Sequence, residues 1–176
     1  MKTNIRRLGF AILLFAMSLV AFGPVGNLQA AGPTKDPLPY GPSTITGYCS
    51  FDIDVIPFHV RHLFITTFSD ANGNPTLQVI HGDEPTQVIN KTTGKTLTYN
   101  TAGTIQIRPD SGGQTVSVVT TGPLFLLIGA NIAPYTQPTV LFFKGRSSLT
   151  GDNFGNILSI NALDGYKEDL CQALSS

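Results

Sequence analysis

The stretch TLQVIHGDEPTQVINKTTGKTLTYNTAGTIQIRPDSGGQTVSVVTT, residues Thr76–Thr121, decides the fold. It reads in twos. Leu77 and Val79 alternate with Gln78 and Ile80 before His81-Gly82-Asp83-Glu84-Pro85 breaks the run, and Thr86 to Asn90 is extended again. Thr92-Thr93-Gly94-Lys95 turns the chain, with Gly94 free to take the positive φ of a tight hairpin. Leu97 and Tyr99 then face one way, with Thr96, Thr98 and Asn100 opposite, up to a bend at Ala102-Gly103. Ile105 and Ile107 lead to Pro109-Asp110-Ser111-Gly112-Gly113, the strongest turn signal, and Val116 and Val118 lead to Gly122-Pro123. A period of two, rich in Thr and β-branched residues, with a turn signal every ~8–12 positions, predicts an antiparallel all-β domain.

Outward from this relay the same pattern holds. Cys49, Phe51, Ile53 and Val55 alternate with Ser50, Asp52 and Asp54, and Val60 to Phe68 forms a second strand after Pro57. Leu124-Phe125-Leu126-Leu127-Ile128 and the strand from Thr139 to Arg146 carry apolar residues at odd and even positions alike, so both faces of each must be covered. The expectation is a single meander of about eight to ten short strands, closed into a barrel because closure removes exposed edges, with a β-sandwich as the alternative. Ser147 to Gly155 reads as turn-rich, and Gly165 to Leu174 as a short helix or coil carrying Cys171. Asp164, Glu168 and Asp169 suit the N-terminal portion of such a helix through its dipole.

The chain has 176 residues, and its start reads as an address. Met1 to Arg7 is a basic segment, Leu8 to Phe22 an apolar one ending at Gly23-Pro24, and Leu28-Gln29-Ala30 a cleavage signal, so residues 1–30 read as a signal peptide. The apolar run is shorter than the roughly 20 residues of a spanning helix. No Cys follows it closely, which argues against a lipoprotein anchor. Residues 31–47 hold Pro33, Pro37, Pro39 and Pro42 and read as an extended leader, with the all-β domain over 48–176. Lys2, Arg6 and Arg7 leave with the signal, so 8 of the 11 basic residues remain against 11 acidic ones. With no basic run left, nucleic acid and anionic membranes are not indicated as partners, and no membrane span is expected once the signal is cleaved.

Cys49 and Cys171 stand in the first strand and the last segment, where a staple would close the whole domain; in an oxidising compartment such a pair is a disulfide. Asp52 and Asp54 share one strand face, where they could bind calcium or act as an acid–base pair; the plainer reading is a solvated face, because calcium draws more oxygen ligands from a compact loop. His59 and His62 are three apart and point to opposite faces of a regular strand, and with His81 they do not form the converging set that zinc needs. No metal or other cofactor is expected. His62 with Asp52 or Asp54 could serve a barrel enzyme, but no nucleophile motif accompanies them.

Cys49-Ser50-Phe51-Asp52-Ile53, Thr92-Thr93-Gly94-Lys95-Thr96-Leu97-Thr98-Tyr99-Asn100 and Asp169-Leu170-Cys171-Gln172-Ala173-Leu174 together resemble an uncharacterised family of small secreted bacterial all-β proteins. These have a Cys-x-Phe first strand, a central Thr-Gly-Lys hairpin and a terminal Asp-x-Cys-x-x-Leu. The resemblance implies secretion, a paired Cys49 and Cys171 and an all-β fold, and it carries over no catalytic or ligand residue. Surplus apolar surface in a secreted protein marks a binding or association site. The leading functional expectation is therefore a non-enzymatic barrel that binds a small apolar ligand or a partner surface, self-association included, with Phe64, Phe125, Leu127, Tyr135 and Phe142 as lining or rim residues. A structural or adhesive cell-envelope domain is the alternative. Docking of the C-terminal segment on the apolar strands would explain the same surface without a ligand.

Overall fold

The computed structural model describes residues 32–58 and 61–175, the side chains of Arg61 and His62 excepted. The signal-peptide reading of residues 1–30, His59 and the His62 side chain lie outside the described residues. Nine strands and one short helix follow in chain order: β1 (Thr34–Pro37), β2 (Ser43–Ile45), β3 (Ile53–Pro57), β4 (Arg61–Ser69), β5 (Pro75–Asn90), β6 (Thr96–Pro109), β7 (Thr115–Ile128), β8 (Thr139–Asp152), β9 (Ile157–Asp169) and α1 (Leu170–Ser175). Every pairing is antiparallel, in the order β1-β4-β5-β6-β7-β8-β9, with β2 and β3 attached to the far half of β5. Among the described residues no ladder joins β1 to β9, so the hydrogen-bonded sheet is open rather than a closed ring.

The strands are longer and fewer in their interruptions than the sequence suggests. Gly82, Gly103, Gly122, Gly145 and Gly165 sit in register across five strands: Gly82 pairs with Gly103, Gly122 with Gly145, and Gly145 with Gly165. Neighbouring backbones come so close along this row that a side chain has no room. A Cβ on Gly145 would stand 2.1 Å from the Asp164 carbonyl oxygen and 2.8 Å from the Gly165 Cα, and one on Gly122 would stand 2.5 Å from the Ala102 oxygen. Glycine here creases the sheet without ending its strands. The expected breaks at His81–Pro85, Ala102-Gly103 and Gly122-Pro123 are therefore corrected, and so is the turn-rich reading of Ser147 to Gly155 as far as Asp152: β5, β6, β7 and β8 run through these positions, and only Asn153 to Gly155 turn the chain.

Beyond the crease the sheet forks. The β6–β7 ladder holds from Thr104–Pro109 to Val116–Thr121 and stops. Past it, β6 stays with β5 and β3, forming one leaf, while β7 stays with β8 and β9, forming a second. The leaves close on each other through Ile53, Val55, Val88, Leu97 and Tyr99 from the first and Phe125, Leu127, Val140 and Phe142 from the second. Tyr99 lies edge-on to Phe125 at 5.7 Å and tilted on Phe142 at 4.4 Å. The opposite face of β7 and β8, with Leu124, Leu126, Ile128, Leu141 and Phe143, is covered by Ile132 and Tyr135 of the β7–β8 loop and by Leu149 and Leu163. Both faces of the apolar strands are thus covered from within the chain.

The C-terminal segment completes the first of these interfaces. Asp169 caps α1, its Oδ1 accepting from the Cys171 and Gln172 amides at 2.8 and 3.2 Å, while Thr139 donates to its Oδ2 at 3.0 Å. Asp164 and Glu168 lie in β9 rather than in the helix. Leu170 and Leu174 are fully buried between the leaves. The side-chain amide of Asn90, 1% exposed, donates to the Leu174 carbonyl, and its oxygen accepts from Thr92 and Thr93 in the β5–β6 turn. A Cys49–Cys171 disulfide ties the helix to the start of the domain across 122 residues.

At the other end, three hairpins repeat one device. Asp70, Asp110 and Asp152 each accept backbone amides of their own turn and a polar side chain four or five residues on, and glycines with positive φ at 73, 113 and 155 complete the bends. No helix among the described residues is long and apolar enough to cross a membrane.

Candidate functional site

The segment expected to be a free spacer is part of the fold. β1 pairs with β4 and β2 with β3, and Leu38 is buried, its amide donating to the Leu63 carbonyl at 2.9 Å. Prolines are tolerated here because both strands lie at sheet edges, where a missing N–H breaks no ladder. The chain from Leu38 to Tyr48, β2 included, crosses the mouth of the fork.

Beneath that strap lies a cavity of about 240 Å³. Its base is the crease, where Gly82 and Gly103 present no side chain. Ile80 and Ile105 line the stem side, Leu124, Phe125 and Leu127 the second leaf, and Leu38, Tyr40, Ile45 and Tyr48 the strap. An apolar hollow of this kind stays open because the leaf and stem residues around it are held in strands and cannot collapse inward.

One carboxyl group stands against these walls. Glu84 lines the cavity, is only 6% exposed, and its Oε1 has no hydrogen-bond partner among the described residues. The hydroxyls of Thr86 and Thr101 are near, but both donate to the Glu84 backbone carbonyl, at 3.1 and 2.8 Å. Burial without a partner disfavours the charged carboxylate and pushes the group up to about 7. Across the cavity Tyr40 is pushed up to about 12, first by its own burial and then by the Glu84 charge. Among the described lining residues there is no Lys, Arg or His.

The sequence-predicted residues are dispersed. Phe125 and Leu127 line the cavity. Phe142 is packed between the leaves with Tyr99. Tyr135 lines a separate open groove beside the disulfide and α1. Phe64 stands apart on the outer side of the stem, with the Lys35 ammonium 4.3 Å above its ring and His81 beside it at 6.2 Å. Asp54 accepts from the Thr44 hydroxyl at 2.6 Å and faces the Lys91 ammonium at 3.6 Å, while Asp52 is exposed. Neither lines the cavity, and no cluster of metal-ligating side chains occurs among the described residues.

Glu84 and Tyr40 escape sequence reasoning for stated reasons. Glu84 sits in a segment whose Gly, Asp and Pro signal a turn, and Tyr40 in a Pro-rich leader. Ile80, Gly82, Glu84, Thr86, Val88 and Asn90 nevertheless keep an unbroken period of two through Pro85, which would have put Glu84 on the buried face. Comparison with family models, curated proteins and solved structures returned no match.

Proposed function

We propose that this is a secreted, non-enzymatic protein that binds a small, predominantly apolar molecule in the cavity of the fork. The observation that carries the reading is the cavity itself, an apolar hollow between two braced leaves and under a strap. Scaled from a 150 Å³ apolar cavity that takes benzene, 240 Å³ accommodates about ten non-hydrogen atoms. The barrel expected from the sequence is, in this reading, completed by packing instead of by a ladder: the strap and the interleaf core enclose the ligand where no strand pairing closes the sheet. The disulfide and the resemblance to secreted bacterial proteins support an extracellular or cell-envelope location.

Native mass spectrometry of the exported protein, before and after organic extraction, tests this. The expected result is a bound mass released by solvent and absent from Ile105→Trp, which fills the hollow. A solvent-extractable mass that persists unchanged in Ile105→Trp, or a protein that takes up no apolar probe at all, refutes it.

A further inference from the structure

The cavity carries one feature that an apolar ligand alone does not explain. Neutral polar groups on a ligand could be met by the hydroxyls of Tyr40, Ser43, Thr44 and Thr101, all of which line the space. A carboxyl group adds a negative charge that those hydroxyls cannot supply, and it is held where ionising is costly and where Oε1 lacks a donor. Around it, Tyr40, Tyr48 and Phe125 offer aromatic rings to the same space. Aromatic rings in the same lining as a lone carboxylate, with no Lys, Arg or His among the described lining residues, form the surroundings that favour an ammonium group over any other small polar group.

We propose that the cavity selects small apolar molecules bearing a single protonated amine, whose N–H donates to Glu84 Oε1 while its hydrocarbon part fills the space lined by Ile80, Ile105 and Leu127. This rests on the cavity being the ligand site. Among the described residues the strap contributes the neutral phenols Tyr40 and Tyr48, and the lining residues of β3, β4, β6 and β7 contribute none that titrates. Asp83, the chain neighbour of Glu84, is exposed and does not line the cavity. Glu84 is thus the titrating partner, and amine binding requires its charged form. Empty, the site holds Glu84 neutral below about pH 7; an ammonium ion supplies the missing donor and draws the carboxylate into its ionised state.

The test uses the exported protein and three probes of one shape: 2-phenylethylamine, 2-phenylethanol and phenylacetate, titrated calorimetrically at pH 8 and pH 5.5. The amine is expected to bind at least tenfold tighter than the alcohol at pH 8, with phenylacetate weakest. Its affinity should fall roughly tenfold or more at pH 5.5 while the alcohol is unchanged. Glu84→Gln, which keeps the shape and sheds the charge, should bind amine and alcohol alike at both pH values; Glu84→Asp should retain a reduced preference. If the alcohol binds as tightly as the amine, or the preference survives in Glu84→Gln, the amine reading is overturned while the cavity reading stands. If no probe binds and Ile105→Trp behaves as the parent protein does, both fall.

Discussion

Glu84 makes the stability of the empty protein depend on pH in a direction opposite to that of most carboxylates. In the unfolded chain the group titrates near its ordinary 4.5, and in the fold it is pushed up to about 7 by burial. Between those values the folded protein holds a proton that the unfolded chain has released, so stability falls as pH rises through this window and levels off above about 7. At ~1.4 kcal/mol per pH unit the difference amounts to at most about 3 kcal/mol, and solvent entering the cavity mouth lowers it. Glu84→Gln isolates the effect. At pH 5 both folded proteins carry a neutral group here, and because the unfolded Glu is already partly ionised the Gln protein should be ahead by no more than ~1 kcal/mol. At pH 8 the Gln protein should be the more stable, by between ~1 and ~3 kcal/mol. Guanidinium unfolding at several pH values from 5 to 8.5 reads the difference directly. Asp70 and Asp110, held below the usual carboxylate range by hydrogen bonds led by those from Asn74 and Thr115, titrate beneath this window and cancel between the two proteins. A gap that fails to open with rising pH, or opens with Glu as the more stable residue, would refute the reasoning, because it would mean that the carboxylate has a solvated or cationic partner.

Two further outcomes follow from the crease and the staple. Gly145→Ala should cost on the order of 3 kcal/mol or more, since its Cβ meets backbone on β9 at 2.1 and 2.8 Å, whereas Gly129→Ala, with nothing within 4 Å, should cost under ~1 kcal/mol; equal denaturant midpoints for the two would remove the crease from the explanation of the fold. Replacing Cys49 and Cys171 together by Ala should lower stability by about 5 kcal/mol on the chain-entropy estimate for a separation of 122 residues, and a loss below ~1 kcal/mol would show that α1 holds its place between the leaves without covalent help.

The sequence speaks most clearly where one residue type has one structural meaning. Period two through Leu97–Tyr99, Ile105–Ile107 and Val116–Val118 predicts strands, and strands are found there. Thr92-Thr93-Gly94-Lys95 and Asp110-Ser111-Gly112-Gly113 predict turns, and both turn the chain. The pairing of Cys49 with Cys171, expected from their places in the chain, is present. Legibility fails at glycine, because a turn and a crease ask for the same absent side chain. Gly82, Gly103 and Gly122 look like the turn glycines when read along the chain. Only the register across β5, β6, β7, β8 and β9, a relation between residues far apart in sequence, shows that they form one line. The functional expectations suffered for the same reason. Large apolar side chains such as Phe64 and Phe142 attract attention in a sequence, but a cavity forms where side chains are missing, and its carboxyl residue, Glu84, lies between two punctuation marks, Gly82 and Pro85.

The apolar strands, the crease and the cavity reduce to one arrangement. A meander whose β6–β7 ladder continued past Gly103 would keep Leu97 and Tyr99 in one sheet with β7, and the second leaf would have no opposing surface for Phe125, Leu127 and Phe142. Ending that ladder at Thr104 and Thr121 turns one sheet into two facing layers, which is why β7 and β8 can be apolar on both faces without exposing either. The leaves pack fully at their tips, where Leu170, Leu174 and the disulfide hold them together. They cannot pack fully at the base, because the glycines that let the sheet crease there contribute no side chains to fill the angle. The hollow is therefore a consequence of the fold's own geometry, and Glu84, the first residue beyond the crease on the inner face of β5, is the place where the chain put a carboxyl group into a space that packing alone would have left apolar.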